Sequence, residues 1–251
     1  MSACRVIINA DDLGLNAEVN EVILEAFRLG TVSSATLMAN MPAFADACAS
    51  IIQHDLQGRV GLHFNLTHGQ PLTDSMREQP LFCRDGRFEL SLPRRVLSLP
   101  PAARFAVQAE LQAQWQRCLE RGVRPSHIDS HQHVHNLWPV GPLVAAFAGE
   151  QQVPVRLARN LGRNIGVLKG YYKSLLNYRI RQHCGVTVKQ VCTPRDLLDG
   201  LDPGPLLEVV AHPRRLADGR LGDDYLPDDQ PLEEVLQRYL LGYQRIAYSG
   251  L

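Results

Sequence analysis

The first 65 residues alternate between two periodicities, and this alternation restricts the fold more than any other feature of the chain. Cys4 to Ala10 is a short run containing Val6, Ile7 and Ile8, with no helical spacing, which suits a buried strand. Asp11-Asp12-Leu13-Gly14 follows and reads as the loop at its carboxyl end. From Asn16 the spacing turns helical through Val19, Val22, Ile23, Ala26 and Phe27, with Asn16 fitting the N-cap and Gly30 the stop. Ser34 to Asn40 reads as a second strand, Pro42 opens a helix running to about His54, and Arg59 to Asn65 reads as a third strand. This order predicts parallel strands with helices outside. Such sheets carry their chemistry at the carboxyl ends of the strands, where Asp11, Asp12 and His63 fall.

The remainder continues the pattern less regularly. Residues 67–99 lack periodicity and contain a hairpin signal around Asp85-Gly86, as a lid or substrate wall often does. Ala102 to Arg121 predicts a helix with Phe105, Leu111, Trp115 and Leu119 on its apolar side, ended by Gly122. Strands are expected over 152–158, which carries Arg156, over 186–191, and over 206–211, where His212-Pro213 closes the strand. Between them 165–182 reads as a helix. An acidic loop over 218–229 and a closing helix over 232–248 complete the chain. About seven strands and no break in composition predict an α/β fold, one (β/α)-barrel-like domain of parallel strands spanning 1–251.

The chemistry concentrates in Ser126 to His135, which holds four of the nine histidines. His127, Asp129, His131, His133 and His135 share odd parity, so on one extended strand they would face one way, with Ile128 and Val134 opposite. Imidazoles beside a carboxylate suit a divalent metal. Eight residue steps span roughly 26 Å on a strand, however, so at most two of these groups could reach one ion. The others need different work, and further ligands must come from elsewhere in the chain.

Several classes are excluded or disfavoured. Lys and Arg number 26 against 26 Asp and Glu, which leaves no basic footprint for nucleic acid. Six scattered cysteines with no C-x-x-C pair make neither a zinc ribbon nor a disulfide framework, and fit reduced thiols in the cytoplasm. The apolar run after Arg5 is too short for a signal peptide, and no stretch approaches the ~20 residues of a membrane span.

Four motifs together resemble the YdjC/ChbG-like carbohydrate deacetylases, a family that includes chitooligosaccharide deacetylases and hopanoid-associated HpnK-type enzymes. They are Asn9-Ala10-Asp11-Asp12-Leu13-Gly14, Gly61-Leu62-His63-Phe64-Asn65-Leu66-Thr67, the stretch His127 to His135, and Val210-Ala211-His212-Pro213. The resemblance implies a distorted barrel related to the NodB deacetylases and removal of acetyl from an N-acetylated amino sugar with one divalent metal. It implies Asp12, His63 and His131 as metal ligands, Asp11 as general base and His212 as general acid. Asp129, His127, His133, His135 and Asn65 are then expected to support the ligands or meet sugar, with His127 and Asp129 fixing the ring of His131 and His133 and His135 facing substrate. Arg156 either orients Asp11 or forms a structural ion pair. By ligand softness the donor set favours Zn2+, Mn2+ or Co2+, whereas the resemblance implies Mg2+. Leu13 in place of the common Phe, and Arg214-Arg215 in place of Gly after the His-Pro pair, bear on substrate more than on reaction.

Two other readings compete. His131-Gln132-His133 could be an H-x-H metal pair of an amidohydrolase-type enzyme, or the chain could be a metal-bearing sugar-binding protein without turnover. A homodimer is also admitted, because parallel barrels often pair.

Overall fold

A computed structural model describes residues 4–93, 96–163 and 165–251. Its elements in order are β1 (Arg5–Leu13), α1 (Ala17–Arg28), β2 (Ser34–Leu37), α2 (Phe44–Gln53), β3 (Val60–Phe64) and α3 (Asp74–Arg77). Then come β4 (Cys83–Arg84), β5 (Arg87–Phe88), α4 (Pro101–Glu120), β6 (Ile128–Ser130), α5 (Gly141–Glu150) and α6 (Val167–Arg181). The chain finishes with β7 (Gln190–Cys192), α7 (Pro194–Leu198), β8 (Leu206–Ala211), β9 (Pro213–Arg215), β10 (Leu221–Asp223), α8 (Leu232–Tyr239) and β11 (Gln244–Arg245).

Seven strands form one curled, parallel sheet in the order β6-β3-β2-β1-β8-β7, with β11 beside the first residues of β1. The distorted parallel α/β barrel is therefore the architecture of this chain. Its circuit between β6 and β7 is completed by irregular chain. Ile128 N–H donates to Pro154 O at 2.9 Å and Arg156 N–H to Ile128 O at 3.0 Å, while Asn160 N–H reaches Val191 O at 3.3 Å. The strand expected over 152–158 is thus reduced to one bridge, Ile128 to Val155.

The register explains how the interior is furnished. Ile7 pairs with Glu208, Asn9 with Ser34, Thr36 with Gly61, and His63 with Asp129. Paired residues on neighbouring strands share a face, so one row of the sheet carries Asn9, Asp11, Thr36, His63, Asp129 and Glu208, all buried. The opposite row carries Val6, Ile8, Ala10, Leu37 and Leu62, which join the main apolar core with Val22, Ile23, Phe44 and Leu111. Gly61 has no side chain because His127 covers it: a Cβ there would lie 2.5 Å from the imidazole.

Local signals place the helices. Asn16 caps α1, accepting from Val19 N–H at 2.9 Å, and Gly30 follows its end at φ +74°. On α4 the buried face is Ala103, Ala106, Val107, Glu110, Leu111, Gln114, Trp115 and Cys118, while Phe105 and Leu119 lie outside. Of the expected apolar side, Leu111 and Trp115 are buried while Phe105 and Leu119 are not; two polar residues, Glu110 and Gln114, belong to the core side instead. Glu110 anchors the 67–99 excursion and Gln114 the residue just after β3. Glu110 accepts from Leu72 and Thr73 N–H, and Gln114 donates to Asn65 O at 2.8 Å. The excursion holds α3 and the β4–β5 hairpin; its residues 94 and 95 lie outside the described residues.

Three boundaries differ from expectation. The strand over 186–191 is shifted to Gln190–Cys192. The acidic loop expected over 218–229 contains β10, which pairs antiparallel with β9 just after His212. The closing helix stops at Tyr239, since Gly242 takes φ +84° and the chain returns as β11 beside β1. Among the described residues no helix is long and apolar enough to cross a membrane.

Candidate metal centre and its acid–base groups

The two adjacent acids reach the same cleft because β1 is irregular. On a regular strand Asp11 would face the interior and Asp12 the helices. Instead β1 continues to Leu13 with a register shift between Ala10 and Leu13, and Asp12 sits at φ +72°. This bulge re-aims Asp12 toward the carboxyl end of the sheet. The expected loop at Asp11-Asp12 is therefore strand.

The histidine stretch is corrected as well. β6 ends at Ser130, and His131–Asn136 is a tight 3₁₀ segment with Gln132 at φ 47° and His133 at φ 55°. Ser130 Oγ accepts from His135 N–H at 3.0 Å and closes the turn. Odd parity holds for His127 and Asp129 and fails beyond them, because left-handed residues break strand alternation.

These distortions bring together donors from three strand ends. Asp12 Oδ1 lies 3.0 Å from His63 Nε2 and 2.8 Å from His131 Nδ1. A second trio, Asp11, His63 and Asp129, is equally compact. Arg156 decides between them. Its Nη1 lies 2.7 Å from Asp11 Oδ2 and 2.6 Å from Asp129 Oδ2, so a guanidinium already neutralises that trio. Asp12, His63 and His131 offer one carboxylate and two imidazoles with open positions, a set that fits a divalent cation. His133 belongs to neither group, so an H-x-H pair is not formed among the described residues.

Asp129 orients His63 rather than His131. Its Oδ1 lies 2.7 Å from His63 Nδ1, and Thr36 Oγ1 donates to its other oxygen at 3.0 Å. A carboxylate accepting from Nδ1–H leaves the lone pair on Nε2, which points at Asp12. His127 likewise serves a different partner from the one expected. Its Nε2 lies 3.2 Å from Asn9 Oδ1, Asn9 Nδ2 donates to Asp11 Oδ1 at 3.0 Å, and its ring stacks on Tyr248.

Asp11 is held from several sides. Arg156 donates to both of its oxygens at 2.7 Å and, through Nε, to Glu208 at 2.6 Å. Burial pushes the Asp11 carboxyl up, but the charges of Arg156, His63 and His212 outweigh it and hold the group well below the usual carboxylate range. His212 Nε2 stands 4.0 Å from Asp11 and 3.8 Å from Asp12. Asp223 fixes the backbone there, accepting from His212 N–H at 2.7 Å, and the Tyr225 ring meets the imidazole edge-on at 5.2 Å.

His135, expected to face substrate, and Asn65, expected to support a ligand or meet sugar, are both buried. His135 is fully buried with Nδ1 against Ser130 Oγ, because the turn folds it under the strand end. Asn65 is also buried, its amide accepting from Thr67 and His68 N–H and donating to Asn40 and His68 O. His133 lines a neighbouring pocket with Arg159 and Tyr225, and burial takes its imidazole down to about 4. Sequence reasoning passed over Asn9, Thr36, Glu208 and Tyr248. Glu208 carried a signal: one acid inside the apolar run Leu206 to Ala211 needs a buried partner.

A family model of YdjC-like proteins matches residues 5–245. A carbohydrate deacetylase of Geobacillus stearothermophilus is 45% identical over 153 residues, covering 61% of this chain and 59% of that protein. The chain spans about three fifths of the length of that relative and of two further carbohydrate deacetylases. A chitooligosaccharide deacetylase of Escherichia fergusonii is 35% identical over 219 residues, covering 83% of this chain and 81% of that protein. A solved Enterococcus faecalis protein superposes with a TM-score of 0.73 at 23% identity over 99% of both chains.

Proposed function

The chain belongs to the YdjC-like family, and from that premise we propose that it is a divalent-metal-dependent deacetylase of an N-acetylated amino sugar. The observation that carries this reading is the convergence of Asp12, His63 and His131 on one point, with Asp11 and His212 at its edge. Asp12, His63 and His131 would hold the cation, which would supply positive charge to polarise an amide carbonyl and acidify water. Zn2+, Mn2+ and Co2+ suit the two imidazoles, and Mg2+ follows from the family likeness.

The protein's own groups divide the proton work. Asp11 stays an anion across the neutral range because Arg156 grips both its oxygens, so its role is to accept the proton of the attacking water. His212 presents Nε2 to the same space and delivers a proton to the departing nitrogen, without which the amine leaves poorly. Asn9 and Arg156 prevent Asp11 from turning toward the cation in place of Asp12.

The test is acetate release from N,N′-diacetylchitobiose and other N-acetyl sugars. Chelation abolishes it and added metal restores it. Asp11→Asn keeps the bound metal, measured by elemental analysis, and loses roughly 10²–10⁴ in rate. Full activity of that variant would remove Asp11 from the mechanism. An active wild type that is indifferent to chelation would overturn the metal assignment.

A further inference from the structure

The acid–base groups lie at the carboxyl end of the sheet, but the hydrogen bonds that hold Asp11 continue to the opposite mouth of the barrel. β11 runs beside β1, Ile246 N–H donates to Val6 O at 2.9 Å, and Ser33 Oγ donates to Ile246 O at 2.6 Å. The chain then turns into the short 3₁₀ segment Tyr248–Gly250. This places the Tyr248 ring, 3% exposed, at the amino-terminal end of the strands, packed with Ile7 and Val188.

Two arms rise from that ring, and both end on Asp11. In the first, Tyr248 O–H donates to Glu208 Oε2, Arg156 Nε donates to Glu208 Oε1 at 2.6 Å, and the two Nη groups of Arg156 donate to the two Asp11 oxygens at 2.7 Å. In the second, the Tyr248 ring stacks on His127 with centroids 3.7 Å apart and planes 12° from parallel. His127 Nε2 then donates to Asn9 Oδ1 at 3.2 Å, and Asn9 Nδ2 donates to Asp11 Oδ1 at 3.0 Å. The direction of this arm follows from its end. Asp11 is an anion, so Asn9 turns its N–H there and its oxygen to His127. Burial and the Arg156 charge keep the His127 imidazole neutral, so its one proton sits on Nε2 and its Nδ1 accepts from Ser126 Oγ at 3.0 Å.

Filling the mouth does not require these groups. The ring sits among apolar side chains. A phenylalanine beside a leucine would close the mouth without a buried hydroxyl or carboxylate, each of which costs free energy unless it is paired. Glu208 is moreover the third carboxylate on one guanidinium. Its use is geometric. Holding Nε fixes the plane of the guanidinium, and that plane fixes the direction of the fork that grips Asp11. A fork released at Nε is free to turn toward Asp129, which Nη1 already meets at 2.6 Å.

We propose that Tyr248 is a positioning residue for the base: through Glu208 and Arg156 on one side, and His127 and Asn9 on the other, it fixes the orientation of the Asp11 carboxylate from the far end of the barrel. The kinetic consequence rests on the deacetylase reading above; the placement of Asp11 does not.

Tyr248→Phe keeps the ring and its stack on His127 and removes only the first arm. In the metal-loaded protein, kcat for acetate release from N,N′-diacetylchitobiose falls roughly tenfold with KM and metal content unchanged, because a slightly displaced base acts poorly while sugar and cation are held elsewhere. Tyr248→Ala cuts both arms, and kcat falls roughly 10²-fold. The space it leaves adjoins a surface cleft of about 450 Å³ lined by Val153, Pro154, Val186 and Leu251, through which a small aromatic can enter. Added 4-methylphenol restores part of kcat. Toluene, which fills the same space without a hydroxyl, raises Tm and leaves kcat low. Equal effects of the two additives on kcat, or a Phe variant with the kcat of wild type, reduce Tyr248 to a plug and overturn the proposal. If the Ala variant does not fold by circular dichroism, the Phe variant decides alone. Crystal structures of wild type and Tyr248→Phe give a reading independent of turnover. An Asp11 carboxylate turned away, with Asp12, His63 and His131 superposed, supports the proposal, and an unmoved Asp11 overturns it. A wild type that releases no acetate from any N-acetyl sugar refutes the deacetylase reading, and the position of Asp11 in the two structures still decides this inference.

Discussion

Arg156→Met removes the one guanidinium that three buried carboxylates share. Arg156 is 1% exposed, as are or nearly are its partners Asp11, Asp129 and Glu208, and the four contacts span 2.6–2.7 Å. Methionine fills much of the same volume, so the cavity contribution is small and the loss is electrostatic. Removing one partner of a buried ion pair costs about 3–5 kcal/mol, because the remaining charge is left without compensation. For a chain of this size that corresponds to a fall in Tm of roughly 6–20 °C. The pH dependence supplies the sharper test. In the wild type the Asp11 carboxyl is held below its ordinary 3.8, so its contribution is present above that value and lost as pH falls through the lowered one. Without Arg156 the largest charge opposing burial is gone, so the folded Asp11 carboxyl is expected to rise above its unfolded value. Its stability contribution is then present in acid and lost as pH rises. The deficit of the variant should accordingly be larger at pH 8 than at pH 5, read by calorimetry across that range. Arg156→Lys keeps the charge but lacks the fork, and recovers only part of the loss. A Met variant that melts with wild type at both pH values would show that Arg156 is not the counter-charge of the interior.

Other outcomes follow from single contacts. Asp223 is fully buried, and burial pushes its carboxyl up to about 6 from 3.8; this raised value makes its contribution complete below the unfolded value and lost as pH rises through 6, about 3 kcal/mol in all. Asp223→Asn should therefore gain in Tm relative to wild type as pH passes from 5 to 8, and an unchanged difference would discard the assignment. Thr36→Val removes the hydroxyl that donates to Asp129 and adjoins His63 Nδ1; metal affinity should fall roughly 10–100-fold in a chelator competition, and an unaltered affinity would show that Asp129 orients His63 unaided.

Most of the strand order and the α1 boundaries were legible because both rest on local signals, periodicity and capping. Asn16 and Gly30 act within one helical turn of their own positions. The face of α4 was harder to read. Phe105 and Leu119 are apolar by type, but Glu110 is buried because Leu72 and Thr73 of the 67–99 excursion supply N–H partners, and Gln114 because it meets the backbone of Asn65 at the end of β3. The carboxyl half of the closing helix expected over 232–248 is not helical, for the opposite reason. Apolar spacing continued, and a glycine at φ +84° ended the helix so that β11 could pair with β1.

The site poses the same division between parity and its interruption. Odd positions of β1, β3 and β6 do point inward, so Asp11, His63, His127 and Asp129 could be grouped from alternation alone. Asp12 and His131 could not, since Asp12 has the wrong parity and His131 lies past the end of its strand. A bulge at φ +72° and a turn through two left-handed residues place them there. A non-glycine residue in that region costs of order 1–2 kcal/mol, so neither distortion persists without compensation. Regular alternation would leave Asp12 buried among the helices, unpaired, at a larger cost than the strain. In the observed backbone it meets two imidazoles instead. The strand that alternation predicts from His127 to His135 would line up five groups along ~26 Å and let at most two of them reach one ion; in the observed backbone that strand stops after Ser130, and His131 turns to meet Asp12.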